Sequence, residues 1–174
     1  MSKHGYLTAE EYVAICQYLG MGTDDLVKFH KVQNRSTISR WQTGKSFVSE
    51  LACDKITELF RQISERINAA LEVIYSTNKD ECQTVMIIYP ESCANMVFGL
   101  SQSGWPLPAY NAYIRHVYAE ATAKGYDIGL IKFNPQSYFA YCAANNLKDS
   151  PESRSSWAAT VYETISPEKS LAQE

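Results

Sequence analysis

Apolar positions along the chain recur mostly every three or four residues, the spacing that lines one face of a helix. Tyr12, Ile15, Cys16 and Leu19 form such a face within residues 6–19. Thr8, followed three residues later by Glu11, predicts a capping box at the start of that helix. Gly20 and Gly22 predict its end. A short second helix follows over 24–32, capped by Thr23, with Asp24 and Asp25 at its positive end and Leu26 and Phe29 facing inward. A turn near Gln33 and Asn34 leads to a third helix, Arg35 to Gln42, that buries Ile38 and Trp41. Thr43 and Gly44 end it.

The strongest periodicity runs from Glu50 to Tyr75, where Leu51, Ile56, Leu59, Phe60, Ile63, Ile67, Leu71 and Ile74 recur without an intervening Pro or Gly. A helix of this length spans about 39 Å at 1.5 Å per residue, more than one small bundle covers. Its far half is therefore expected against a second layer or another copy of the chain. Asn68 lies close to the stripe, either as a surface residue or as a polar position that sets register in a dimer seam. The polar segment 76–83 predicts a domain boundary. Beyond it, 84–89 reads as a buried strand closed by Pro90, 91–102 as helical and 104–108 as a turn. Residues 110–124 read as a helix stopped by Gly125, and 127–133 as a second strand. Asn134 caps a helix with Pro135 at its first position, and a last helix starts near Ser150. The expected fold class is mainly α with a small β element. It comprises an N-terminal helix-turn-helix bundle and long helix in residues 1–75, a C-terminal α+β dimerisation domain in 76–165, and a fraying tail from Ser166.

Composition changes this picture only locally. Across 174 residues, 45% are apolar and 20% charged, which is the range of globular chains and excludes disorder or low complexity. The opening MSKHGYLTAEEY lacks the apolar stretch of a signal peptide, and no window holds the ~20 apolar residues of a membrane helix, so a cytoplasmic location and no membrane partner are expected. The five cysteines form no CxxC and read as reduced, buried hydrophobes. No nucleophile–base set, paired carboxylates, phosphate loop or metal-ligand spacing emerges, so neither an enzyme nor a cofactor is expected. His116, beside Arg115, reads as a surface or interface histidine, and the twelve tyrosines as core more than as a stacking platform.

The net charge of −3 hides a segregation. Between Leu26 and Ser49 lie Lys28, Lys31, Arg35, Arg40 and Lys45 with no Asp or Glu. A positive patch on an otherwise neutral domain is the footprint of phosphate binding. It coincides with helix-turn-helix spacing, which turns Arg35, Ser36, Thr37, Ser39, Arg40 and Gln42 outward from the Ile38–Trp41 face. Arg suits guanine edges, Gln suits adenine, and Ser or Thr suits phosphate. Together with Asn34, these residues and the three lysines are the candidate DNA contacts.

The segment NRSTISRWQTGK, 34–45, resembles the recognition helix and exit turn of the bacterial repressor-type (XRE/Cro-like) helix-turn-helix family. The usual turn glycine is replaced by Val32, Gln33 and Asn34, and the proline often found after the exit glycine is absent. The wider chain, including 126–159, resembles the YdiL-type small bacterial regulators and the autorepressors associated with anti-CRISPR operons. That resemblance implies a homodimer joined through the long helix and C-terminal region, bound to double-stranded DNA at a palindromic operator and repressing its own operon. Within it, Asn134, Tyr138, Ala140, Ser150, Arg154, Trp157 and Ala158 read as packing and dimer contacts. The alternative function is an antitoxin-like interaction module whose C-terminal region clamps a protein partner such as a toxin.

Overall fold

A computed structural model describes residues 6–77, 84–94 and 104–166. The described residues are mainly helical. In chain order they form α1 (Ala9–Tyr18), α2 (Thr23–His30), α3 (Arg35–Gln42), α4 (Glu50–Tyr75), β1 (Thr84–Ile88), a 3-10 turn (Glu91–Cys93), α5 (Leu107–Ala123), β2 (Ile128–Lys132), α6 (Pro135–Ala144) and α7 (Pro151–Ile165). Two compact units divide them. The first is Met1–Ala69 with Gly104–Tyr113, and the second is Ala70–Ser103 with Ile114–Glu174. The division falls inside α4 and inside α5, whereas the polar segment expected to mark it lies mostly outside the described residues.

The first unit follows its apolar pattern closely. The Thr8 hydroxyl accepts the Glu11 N–H at 3.1 Å and the Glu11 carboxylate accepts the Thr8 N–H at 2.8 Å, closing the expected capping box. Tyr12, Cys16 and Leu19 are buried. Burial pushes the Cys16 thiol up to about 12, so it stays protonated and unreactive. Three local readings are corrected. Gly22, not Thr23, occupies the N-cap of α2, where its N–H donates to Asp25 Oδ2 at 3.0 Å. Phe29 is only half-buried, while His30 next to it is enclosed. Leu51 is 64% exposed, and Ala52 and Cys53 take its inward place. Of the rest of the stripe, Ile56, Leu59, Ile63, Ile67 and Ile74 are buried, Phe60 and Leu71 are half-buried, and Asn68 beside it is exposed. Each large aliphatic side chain enclosed this way contributes about 1.5–3 kcal/mol.

In the second unit, β1 and β2 pair in parallel, with Thr84 opposite Ile128 and Ile88 opposite Lys132. A parallel pair needs a crossover, and the chain between the two strands includes α5. Helix α5 begins at Leu107, so Leu107 and Pro108 are helical where a turn was expected. Of the expected helix at 91–102, the 3-10 turn is described and 95–103 lie outside the described residues. Asn134 and Ser150 cap α6 and α7 as read, each with proline in the first turn. The Tyr162 ring of α7 lies against β2 at Gly129, where a Cβ would come within 2.7 Å of it.

Tyr138, Arg154 and Trp157, three of the C-terminal residues singled out by resemblance, belong to an internal lock. Arg154, 7% exposed, donates from Nε and Nη2 to Asp149 Oδ1 and Oδ2, both at 2.7 Å. The Tyr138 hydroxyl donates to the same Asp149 Oδ1 at 2.8 Å. The rings of Tyr89, Phe133 and Tyr138 each lie 6.0 Å from the guanidinium. Trp157 donates to the Ser137 hydroxyl at 3.2 Å. The hydrogen bonds from Arg154, and after them that from Tyr138, hold the Asp149 carboxyl below its ordinary range, against the opposing effect of burial. Asn134 and Ala140, by contrast, are exposed. Among the described residues no helix is long and apolar enough to cross a membrane.

Candidate nucleic-acid interface

Helices α2 and α3 pack on each other and α3 packs on α1. Ile38 is fully enclosed and Trp41 nearly so, its ring edge-on to Tyr12 with centroids 6.0 Å apart. These two anchors fix the rotation of α3 about its axis. The opposite face of α3 must therefore meet solvent, because residues three apart share one side of a helix.

The turn between the helices departs from the glycine habit and solves the same geometric problem with a lysine. Lys31 ends α2 at φ 56° and ψ 38°, the left-handed conformation. Its N–H donates to the Lys28 carbonyl at 3.3 Å, and the Val32 N–H donates to the Val27 carbonyl at 3.2 Å. A left-handed non-glycine residue costs about 1–2 kcal/mol. The chain then enters α3 through Asn34. The Asn34 side-chain oxygen accepts the Thr37 N–H at 3.3 Å, the Thr37 hydroxyl at 3.4 Å, and the Ser36 hydroxyl.

The ten expected contacts therefore divide. Arg35, Ser36, Ser39, Arg40 and Lys45 are exposed on α3 and its exit, and Lys28 and Lys31 on α2 and the turn. Thr37 and Gln42 are half-buried, not outward as their spacing suggested, because each abuts the side that Ile38 and Trp41 anchor. Asn34 is exposed, yet its oxygen is committed to capping, so its remaining free polar group is the amide NH2. At the exit, the Thr43 hydroxyl donates to the Ser39 carbonyl at 2.8 Å and the Ser46 N–H to the Arg40 carbonyl at 3.2 Å. Gly44 at φ 68° makes this tight reversal without Cβ strain. Val48 then plugs into the core and leaves Phe47 in solvent.

Two features escaped the sequence. The Arg35 guanidinium pairs with Asp24 of α2, eleven residues earlier. Both side chains remain largely exposed. Asp24 and Asp25 looked equivalent as helix-dipole partners, but only Asp25 closes the helix start. His30 sits beneath α3, its ring 5.7 Å from that of Trp41. Burial, reinforced by the charge of Lys55, lowers its pKa from 6.5 to about 4. The imidazole is therefore neutral at physiological pH and lends α3 no positive charge.

The arrangement can present cations and hydroxyls along one exposed helix face. Residues 1–162 match the family model described as a domain of unknown function (DUF4447), and the chain belongs to that family. The search of curated proteins found no match.

Proposed function

We propose that this DUF4447 member is a sequence-specific DNA-binding transcriptional regulator, acting as a homodimeric repressor at a palindromic operator. One observation carries the reading. Ile38 and Trp41 anchor α3 so that Arg35, Ser39 and Arg40 face solvent within a segment that holds five cations and no acid. In this reading α3 enters the major groove from its N-terminal end, and Arg35 and Arg40 reach base edges or phosphates. Ser36, Ser39, Lys28, Lys31 and Lys45 contact the backbone. Two copies, joined through the long helix and C-terminal region, would set their recognition helices about 34 Å apart. Occupancy of a promoter then excludes polymerase. The likeness of 34–45 to repressor-type recognition helices supports the same assignment.

The test is a footprint and gel shift on the DNA upstream of the protein's own coding sequence. Arg40→Ala should weaken the shifted complex about tenfold, the loss of one base or phosphate contact. An unchanged shift for both Arg35→Ala and Arg40→Ala would remove α3 from the interface. A strictly monomeric particle in sedimentation would remove the paired-groove geometry. A second reading, an antitoxin-like module, draws on Phe139 and Leu147, which stand exposed in the second unit. It predicts that a partner protein encoded beside this chain co-purifies with it and is lost on Phe139→Ser.

A further inference from the structure

The exposed face formed by α2 and α3 carries one carboxylate that helix capping does not use. Asp25 is spent locally on the Gly22 N–H. Asp24 pairs instead with Nη2 of Arg35, the first residue of α3. Their side chains are 56% and 73% exposed, so solvent screens the pair and a stronger anion can open it. That is an unusual place for an acid. A carboxylate at the edge of a phosphate-binding surface repels the duplex backbone, and by pairing with Arg35 it cancels the cation best placed to meet a phosphate at the helix start.

The two kinds of DNA contact respond differently to such a partner. A phosphate approaching the paired Arg35 is repelled by the Asp24 carboxylate, and gains the full charge of the guanidinium only by displacing it. The guanine acceptors O6 and N7 are uncharged and do not compete with a carboxylate in that way. The guanidinium has five N–H donors, of which the Asp24 pair engages one nitrogen. Arg35 can thus remain on Asp24 and still present donors to a base edge. From this we propose that Asp24 is a specificity-determining residue: it withholds Arg35 from indiscriminate phosphate contact and keeps it for a base. The inference rests on the DNA-binding reading above.

Fluorescence anisotropy tests it with two probes, a random-sequence duplex of about 30 base pairs and a duplex enriched from a random library by the wild-type chain, across about 50–200 mM salt. Asp24→Asn should raise affinity for the random duplex several-fold, and the log–log salt slope should steepen by about 1 per subunit, the signature of one additional phosphate contact. Affinity for the enriched duplex should rise less, so discrimination falls. In an Arg35→Gln background the same substitution should have a clearly smaller effect, because there is no longer a guanidinium to release and only the repulsion of one carboxylate is relieved. Asp24→Ser removes the same charge if the asparagine variant melts early. Unchanged affinity and slope for the random duplex would overturn the proposal. So would an undiminished effect in the Arg35→Gln background, which would make Asp24 a plain repulsive charge. A wild-type chain that enriches a duplex yet ignores Asp24→Asn sinks this inference alone. A wild-type chain that binds neither probe sinks the DNA-binding reading with it.

Discussion

Acidification should loosen the first unit through His30. The ring lies 4.9 Å from Phe29, 6.0 Å from Tyr12 and 5.7 Å from Trp41, centroid to centroid. Neither ring nitrogen has a hydrogen-bond partner among the described residues. Protonation in place would put a charge among aromatic rings with no anion to meet it and with Lys55 adding repulsion. The unfolded chain takes the proton at its ordinary pKa of 6.5, while the folded chain resists until about 4. Above pH 6.5 both states are neutral and nothing is lost. Between 6.5 and about 4 the unfolded state binds more protons, so stability falls with pH by up to about 1.4 kcal/mol per unit. Below about 4 the loss levels off, near 3 kcal/mol in total. That is a large share of the roughly 5–15 kcal/mol typical of a domain. Urea titrations followed by circular dichroism at pH 7, 5.5 and 4.5 read it out. His30→Leu, which fills the same space without a titrating group, isolates the histidine from the carboxylates that change over the same range. The gap between the two proteins should move in favour of the leucine variant by about 2–3 kcal/mol from pH 7 to 4.5. Parallel stability curves would show that His30 gains a partner or water in solution, and the reasoning would fail.

Three other substitutions probe separate parts of the molecule. Gly129→Ala drives a methyl into the Tyr162 ring and should cost about 1–3 kcal/mol in thermal melts, with part of the loss recovered by Tyr162→Leu. Lys31→Gly releases left-handed strain and should add about 0.5–1 kcal/mol to stability in urea while weakening duplex affinity, separating the turn's folding role from its charge. Asp149→Ala strands the buried Arg154 guanidinium and should cost about 2–3 kcal/mol, whereas Arg154→Met in the same background should recover most of that loss.

Much of this protein was legible from one dimension. Helix periodicity placed Glu50–Tyr75 to the residue, because an uninterrupted stripe of aliphatic side chains leaves a helix no other way to bury them. Capping boxes and proline positions located the starts of α1, α6 and α7, since these signals act within four residues. The same local logic found the anchors Ile38 and Trp41, and through them the exposed arginines. It failed at Leu51 and Phe29, where a spacing of three or four fitted two adjacent faces and only the neighbouring helices could choose between them.

What tertiary structure alone decided are pairings between residues distant in the chain or brought together by a turn. The parallel register of β1 and β2, the contact of Tyr162 with Gly129, the enclosure of His30 by three rings, and the capture of Arg35 by Asp24 belong to this class. No periodicity encodes them. A residue's spacing determines which side of its own element it occupies, but its partner is chosen by whatever the folded chain brings to that side.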